Sequence, residues 1–367
     1  MDQISAFVFV WAKRLGMPLV GVYHMICGSV FFNTEIEGDT GLEYWANQAL
    51  APVHYLLAGR KAIYDEKTHH YQIEQRFNYD EHFGLRTLAS MAALPLSVTV
   101  GSGLKALAYL DTSVQKRHHA VITSLNARPI KSNLDYYACL GVEVGNLHAP
   151  DKLRSPIYDR SDNQTEHLAP YKDALGAIST ILRKHEIPHW LDCGTLLGAY
   201  RYRGFIPWDK DLDIAILQPD FDNVKNALGE LDSNKYQVLD WSSRDKAKTY
   251  LMVHIKGTSH LIDIYHFAVD ADKKELRGIV SNIDSMFLPR SWKICEGRFA
   301  RSVPYDMVFP LKKTHFEGIE VYVPNDTPGY LKGVYGDDLR PAKIYDKTTG
   351  RYEKDLSHPY WQLEHVH

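Results

Sequence analysis

Residues 189–217 read HWLDCGTLLGAYRYRGFIPWDKDLDIAIL and combine a short apolar segment, a glycine turn and an acidic segment. His189–Cys193 form the first predicted strand. A predicted helix begins at Gly194-Thr195 and runs to about Arg201. A second strand is predicted at Asp211–Leu217, after a break that contains glycine and proline. This order of strand, helix and strand indicates an α/β (α+β) catalytic domain.

The predicted strand Asp211–Leu217 carries two carboxylates, Asp211 and Asp213. Side chains alternate between the two faces of a strand, so the two acids share one face and the apolar residues between them are predicted to be buried. Asp263 lies in the middle of another predicted strand, Ser259–Phe267. Three converging carboxylates can hold Mg²⁺ for phosphoryl or nucleotidyl transfer. The Asp-x-Asp spacing alone is more often that of an acidic loop beside a strand, so it decides nothing without its context.

The segment around these acids contains candidate phosphate-binding groups. Gly194-Thr195 lies at a strand-to-helix junction, where free backbone N–H groups and the helix dipole favour phosphate, although turn glycines are also common. Arg201, Arg203 and Lys210 flank this junction and are interpreted either as donor-phosphate contacts or as solvated surface charges. Asp209 has the parity of the two strand acids, so it is a candidate further ligand, an outer-sphere group or part of an exposed turn.

Four segments share a recognisable pattern: LDCGTLLGAYR at 191–201, GFIPWDKDLD at 204–213, FEGIEVYVP at 316–324 and YLKGVYGD at 330–337. Together they resemble the signature of the LicD/fukutin family of phosphotransferases, within the polymerase-β-like nucleotidyltransferase superfamily. The resemblance covers about residues 166–346. It implies a nucleotidyltransferase-type mixed sheet flanked by helices in the C-terminal half.

The resemblance also implies roles for individual residues. Gly194 and Thr195 correspond to the phosphate-binding turn, while Asp211, Asp213 and Asp263 correspond to the catalytic metal ligands for Mg²⁺ or Mn²⁺. The implied reaction moves phosphocholine or a polyol phosphate from a CDP-activated donor to a glycan or glycolipid hydroxyl and releases CMP. Two alternatives are a metal-dependent glycosyltransferase that uses a nucleotide sugar and a non-catalytic nucleotide-binding or membrane scaffold relative.

The N-terminal region, residues 1–155, is predicted to be mainly helical, and the polar stretch 155–166 predicts a boundary to a catalytic domain at 156–367. Two runs in this region, 15–34 and 87–104, contain no Asp, Glu, Lys or Arg. Their length is marginal for a membrane span, and glycine and proline interrupt both runs. They are interpreted either as core helices of a soluble domain or as sites of membrane attachment.

Composition limits the classes of partner and compartment. The 367 residues carry 42 basic and 45 acidic side chains, so the formal charge of −3 provides no field for a polyanion and argues against nucleic acid as the main partner. The four scattered cysteines form no cluster, which predicts no zinc site and fits a reducing compartment. Asp2 precedes the first basic pair, unlike in a cleaved signal peptide. We therefore expect a cytoplasmic protein, either free or peripheral on the cytoplasmic membrane face.

Overall fold

The structure is a computed structural model that describes residues 30–37, 41–56, 59–66, 69–75, 82–126, 130–147, 156–161, 168–209, 211–242, 248–280 and 290–363. The chain divides into two compact units, the first within residues 1–127 and the second formed by 128–242 and 248–367. The first unit is mostly helical and the second is rich in sheet. This confirms the predicted α/β (α+β) class.

The first unit combines four helices among its described residues with a small sheet. Its elements are α1 (Val30–Asn33), β1 (Thr34–Ile36), α2 (Leu42–Leu56), β2 (Arg60–Asp65), β3 (His70–Gln75), α3 (Phe83–Ala108) and α4 (Thr112–Asn126). Strand β2 pairs in parallel with β1 and antiparallel with β3. The sequence pattern did not predict this sheet. Most of the uncharged run 15–34 lies outside the described residues.

Helices α2 and α3 pack closely against each other. A Cβ on Gly101 would lie 2.5 Å from Leu50 Cγ, so only glycine allows this approach of α3 to α2. Ser97 Oγ, also on α3, donates to the carbonyl of Ala49 at 2.5 Å. Within the part of the chain that the structure describes, α3 is the one helix long and apolar enough to cross a membrane. Length and composition alone fit a core helix of a soluble protein equally well.

The second unit is built around a seven-stranded mixed sheet. Its helices are α5 (Leu134–Cys139), α6 (Ala169–Lys184), α7 (Cys193–Tyr202), α8 (Phe221–Ala227), α9 (Arg290–Gly297), α10 (Tyr305–Val308) and α11 (Thr327–Tyr335). The sheet strands are β4 (His189–Leu191), β5 (Leu212–Leu217), β6 (Tyr236–Asp240), β7 (Leu251–Ile255), β8 (Leu261–Asp270), β9 (Glu275–Ile279) and β10 (Ser302–Pro304). Two hairpins complete the unit: β11 (Lys312–Phe316) with β12 (Ile319–Val323), and β13 (Lys343–Asp346) with β14 (Arg351–Lys354).

The order of the strands brings the predicted acidic positions together. The main path of the sheet is β10-β9-β8-β5-β4, in which β5 runs parallel to β8 and antiparallel to β4. The opposite edge of β8 is shared, since β7 pairs with its first half and β9 with its second half. In the β5–β8 register Asp213 lies directly opposite Asp263. The two carboxylates come from adjacent strands in the middle of the sheet.

Strand β5 differs from its predicted form. It begins at Leu212, so Asp211 precedes the strand, and all six of its residues are buried. The predicted burial of its apolar residues is confirmed, but the face that carries Asp213 is buried as well. A strand covered on both faces is apolar on both, and Asp213 is the exception within it.

The division between the units falls earlier than the predicted boundary at 155. Tyr137, on α5, is fully buried and donates a hydrogen bond of 2.6 Å from its hydroxyl to Asp220 Oδ2. The side chain of Asn133 donates to the other oxygen of the same carboxylate at 2.7 Å. Because these contacts fix residues 133–137 to the sheet-rich unit, the segment after residue 127 belongs to that unit.

Candidate active site

The start of α7 is fixed by a buried acid. Strand β4 ends at Leu191 and α7 begins at Cys193, one residue before the predicted start. Asp192 Oδ1 accepts a hydrogen bond from the N–H of Cys193 at 2.8 Å and another from the hydroxyl of Tyr330 at 3.0 Å. Burial raises the pKa of Asp192. This cap holds the turn between strand and helix in one conformation.

Gly194 occupies a position that no other residue fits without movement. A Cβ at Gly194 would lie 2.7 Å from Oδ2 of Asp209, so the carboxylate of Asp209 lies directly against the turn. The preceding Cys193 has a φ of 48°, a left-handed conformation that a residue with a side chain adopts at a cost. The predicted phosphate turn and Asp209 are therefore neighbours in space.

Thr195 connects this turn to the acidic strand. Its buried hydroxyl accepts a hydrogen bond of 2.9 Å from the backbone N–H of Asp213. The hydroxyl predicted for phosphate binding thus has a structural bond, and that bond fixes the first turn of α7 against β5.

Four carboxylates share one electrostatic neighbourhood. Asp213 is only 4% exposed, and burial followed by the charges of Asp211, Asp263 and Asp209 raises its pKa well above the ordinary range. Burial also raises the pKa of Asp263 to about 6, with a smaller contribution from Asp211. The hydroxyl of Tyr250 opposes this shift by donating to Asp263 Oδ1 at 2.7 Å. Asp211 is exposed at the entrance to β5.

The donor chemistry of this neighbourhood suits a hard divalent cation. Among the residues that the structure describes, no three His, Cys, Asp or Glu side chains are already grouped around one point as a metal-binding set. The charges of Asp211, Asp263 and Asp209 nevertheless all raise the pKa of Asp213, so negative charge accumulates around this residue. Oxygen ligands of this kind are those that Mg²⁺ and Mn²⁺ prefer. The residue types and their accumulated charge fit such an ion.

The flanking basic residues have partners within the protein. The guanidinium of Arg201 donates to the carbonyls of Leu339 and Arg340, and burial lowers the pKa of Arg201. Arg203 donates from Nη1 to Thr314 Oγ1 at 3.0 Å. Lys210 lies outside the described residues. The bonds of Arg201 and Arg203 therefore serve to attach the end of α7 to later segments of the chain.

A cavity of about 380 Å³ opens beside Gly194 and the acids. Its lining includes the predicted Arg201, and also Arg298 and the acid Glu296, neither of which the sequence analysis singled out. The Arg298 guanidinium carbon lies 4.5 Å from the centroid of the Phe299 ring and 5.3 Å from that of Tyr335. The aromatic lining consists of Trp208, Tyr265, Phe299, Tyr335, Tyr360 and Trp361. The signal for these residues was weak, because they are scattered between Trp208 and Trp361 at long and irregular intervals.

The loop that carries Asp209 is held by the hairpin β11–β12. At the tip of this hairpin, Glu317 Oε1 accepts from the N–H of Phe205 at 2.9 Å, and its carboxylate also pairs with Arg160. The N–H of Glu317 donates to the carbonyl of Arg203 at 2.9 Å. The two separated motifs 204–213 and 316–324 therefore meet, and one positions the other.

Residues 186–326 match the family described as "LicD/FKTN/FKRP, nucleotidyltransferase domain". These residues form a LicD-family nucleotidyltransferase domain. The resemblance inferred from the sequence motifs is confirmed for this part of the chain. The LicD domain contains Gly194, the four acids and the hairpin that holds the Asp209 loop, while the aromatic end of the cavity at Tyr360 and Trp361 lies beyond the matched residues.

Several proteins are similar to the LicD-containing half. An uncharacterised protein of Rickettsia prowazekii is 32% identical over 166 residues, which is 45% of this chain and 53% of that protein. Ribitol-5-phosphate transferase FKTN of Mus musculus is 28% identical over 181 residues, 48% of this chain and 34% of that protein. Ribitol 5-phosphate transferase FKRP of Homo sapiens is 28% identical over 97 residues, 26% of this chain and 18% of that protein. This chain thus spans about half or less of the length of these relatives.

Proposed function

We propose that this protein is a metal-dependent transferase that moves a phospho-alcohol group from a CDP-activated donor to a glycan or glycolipid hydroxyl and releases CMP. The observation that carries this proposal is the opposition of Asp213 and Asp263 on parallel strands, beside Asp211 and a glycine turn. The family match and relatives named ribitol-5-phosphate transferases support this class of reaction. A polyol phosphate is therefore the first group to test, followed by phosphocholine.

Asp211, Asp213 and Asp263 are the residues that would hold Mg²⁺ or Mn²⁺, with Asp209 as a further candidate ligand. When bound, the ion would neutralise negative charge on the diphosphate as the donor reacts. The cavity beside the acids supplies the remaining contacts. Arg298 is placed by its neighbours Phe299 and Tyr335 to contact a donor phosphate, and the aromatic lining offers flat surfaces for a base or an alcohol.

In the transfer step, an oxygen of the acceptor hydroxyl forms a bond to the phosphorus that carries the alcohol group. The bond from this phosphorus to the CMP oxygen breaks, and CMP leaves with the electron pair. The hydroxyl proton passes to water in the open cavity beside the acids. The backbone N–H groups at Gly194 hold the CMP phosphate, because a side chain here would fill the space between that turn and Asp209.

The decisive experiment incubates the full chain with Mg²⁺ and separate CDP-ribitol, CDP-glycerol, CDP-choline and UDP-sugar donors. We expect CMP release from one CDP-linked donor, loss of that release in EDTA, and its recovery with Mg²⁺ or Mn²⁺. UDP release from a nucleotide sugar would replace the proposal with a glycosyltransferase. Full activity in chelator would overturn the role of the metal.

A matched pair of variants tests the contribution of the cavity. Arg298→Gln should lower kcat/KM by about 10- to 100-fold, because a charge-assisted contact to the donor phosphate is lost. Arg277→Gln removes the same charge from an exposed position on β9 and should leave the rate unchanged. Equal rates for the two variants would place the donor phosphate elsewhere.

A further inference from the structure

The pair of helices α2 and α3 in the first unit presents a broad apolar surface. On α3 the exposed large apolar side chains are Leu85, Leu88, Met91, Leu96, Val98, Val100 and Leu107. Leu88 is 69% exposed and Leu96 is 70% exposed. Because these positions occur around much of the helix, the exposed surface is far wider than the single apolar stripe of a helix that faces a core.

The central part of this surface carries no exposed charge. In residues 42–56 and 87–104 the only acidic or basic side chains are Glu43 and His54, and both are buried. Glu43 is paired inside the unit, with its Oε2 2.7 Å from Arg117 Nη2 and its Oε1 3.2 Å from His118 Nε2. A helix pair that faces water normally carries charged side chains on the solvent side. Within 42–56 and 87–104 every charge is directed inward, and the exposed Arg86 lies in the first turn of α3, just before the uncharged run.

The hydroxyls of Ser97 and Thr99 and the amine of Lys105, all on α3, also form hydrogen bonds within the first unit. Ser97 Oγ donates to Ala49, and the exposed Thr99 Oγ1 donates back to the carbonyl of Pro95 at 2.8 Å. Lys105 is buried, and its Nζ donates to Asn47 Oδ1 at 2.8 Å and to the carbonyl of Thr34 at 3.0 Å. Internal partners of this kind are what polar groups require in a hydrocarbon environment.

The dimensions and the ends of the pair match a bilayer. The uncharged part of α3, 87–104, is about 27 Å long at the helical rise per residue, close to the thickness of a hydrocarbon core. Exposed Tyr44, Trp45 and Tyr109 lie at the end of the pair where Lys105 meets Asn47. Exposed tyrosine and tryptophan are typical of the boundary between lipid and water.

From this combination we propose that the α2–α3 pair is a membrane-binding element whose partner is the hydrocarbon region of a lipid bilayer. The inference concerns the first unit alone and does not depend on the proposed transfer reaction. It selects membrane attachment from the two interpretations of the uncharged run 87–104.

Flotation of the full chain with phosphatidylcholine vesicles tests this proposal. We expect wild type to float with the vesicles at both low and high salt, because the contact is apolar. The double variant Leu88→Glu/Leu96→Glu should reduce vesicle binding at least about tenfold, since each change places a charge in hydrocarbon. Leu356→Glu is the matched control, because Leu356 is 74% exposed in the second unit, and it should float like wild type. Failure of wild type to float, or equal binding by both variants, would overturn the proposal.

A second measurement needs no variant. Met91 is 59% exposed on α3, and vesicles should slow its oxidation by peroxide, followed by mass spectrometry of its peptide. The oxidation of Met307 in the second unit should not change. Unchanged oxidation of Met91 would contradict membrane insertion. An apolar surface that instead joins two copies of the chain would show itself as a dimer in wild type without lipid, and that result would also overturn the proposal.

Discussion

Buried charge in the first unit differs from buried charge in the acidic neighbourhood of Asp213 in the second unit. In the first unit, Glu43 meets Arg117 and His118, and Lys105 meets an amide oxygen and a carbonyl oxygen. In the second unit, Asp213 is buried beside other carboxylates, whose charges raise its pKa further. A buried charge with a partner inside the protein serves the fold, whereas acids that raise one another's pKa are typical of ligand sites. This difference supports the assignment of the acids of the second unit to the proposed site.

The largest expected effect tests the acids of the second unit. Asn at Asp211, Asp213 or Asp263 should lower turnover by about 10²- to 10⁴-fold, or about 3–5 kcal/mol of transition-state stabilisation. The same variants should melt no lower than wild type in EDTA, because each removes a repelling charge. Asp209→Asn should lose no more than about tenfold in rate. Wild-type turnover of Asp213→Asn, or an Asp263→Asn effect no larger than that of Asp209→Asn, would contradict these roles.

Substitution of Glu43, the buried acid of the first unit, should lower stability instead. Glu43→Gln should lower the free energy of unfolding of this unit by about 3 kcal/mol, because Arg117 loses its buried counter-charge. Calorimetry on the full chain measures the effect. Glu37→Gln is the control, since Glu37 pairs with Lys61 at an exposed position and should cost less than about 1 kcal/mol. If the two variants were equally stable, the buried pair would contribute nothing beyond a surface pair.

Low pH should reduce the stability of the first unit through the protonation of Glu43. Burial by itself raises the pKa of Glu43, but the bonds and charges of His118 and Arg117 outweigh it and leave the pKa below its ordinary value of 4.5. Ionised Glu43 therefore stabilises the first unit above that pH, and this contribution is lost as the pH falls through the lowered pKa. The Glu43→Gln variant should show a flatter loss of stability in acid. An identical acid profile for wild type and variant would exclude this linkage.

Substitution of Gly194 in the turn should have a smaller effect, which appears in both KM and kcat. Gly194→Val should raise KM and lower kcat by about 10- to 100-fold, because the new side chain displaces Asp209 and fills the space for phosphate. Gly198→Ala, which would bring a Cβ within 2.5 Å of the carbonyl of Gly204, is a useful contrast because it should destabilise the fold instead. Unchanged kinetics of Gly194→Val would move the phosphate site away from this turn.

The smallest expected effect concerns the partner of Asp263. Tyr250→Phe removes one hydrogen bond to a carboxylate and should lower turnover by no more than about tenfold while the fold remains intact. Steady-state kinetics with the active donor measures this change. A loss as large as that of Asp263→Asn would show that Tyr250 itself takes part in the chemistry.

Local patterns predicted the elements but not their contacts. The amphipathic spacing of 167–186 and the apolar runs at 249–256 and 259–267 predicted α6, β7 and β8 within a few residues. Asp211 and Asp213 were recognised from their spacing together with the upstream glycine turn and the motifs of the family resemblance. Sequence could not indicate that Tyr250 bonds Asp263, because that contact depends on the antiparallel register of β7 and β8.

For Arg201 and Arg203, proximity in sequence did not reveal the contacts of the side chains. Arg201 and Arg203 lie close to the turn in sequence, yet their side chains extend to Leu339, Arg340 and Thr314. Helical rotation of about 100° per residue separates neighbours in sequence from neighbours in space. Arg201 does line the cavity, but the other arginine in the lining, Arg298, is far from the acidic strand in the sequence. Its position depends on tertiary packing, which no short pattern encodes.

The hydrogen bond from the Asp213 N–H to the Thr195 hydroxyl has a consequence for binding equilibria. Because it joins the start of α7 to β5, a shift of the phosphate turn must move the backbone of Asp213 as well. Binding of a nucleotide should then change the affinity for a cation. By thermodynamic linkage, the cation changes the affinity for the nucleotide by the same factor. Thr195→Val keeps the shape of the side chain but removes the acceptor. Titrations of CMP with and without Mg²⁺ should then give dissociation constants whose ratio is closer to one in the variant than in wild type.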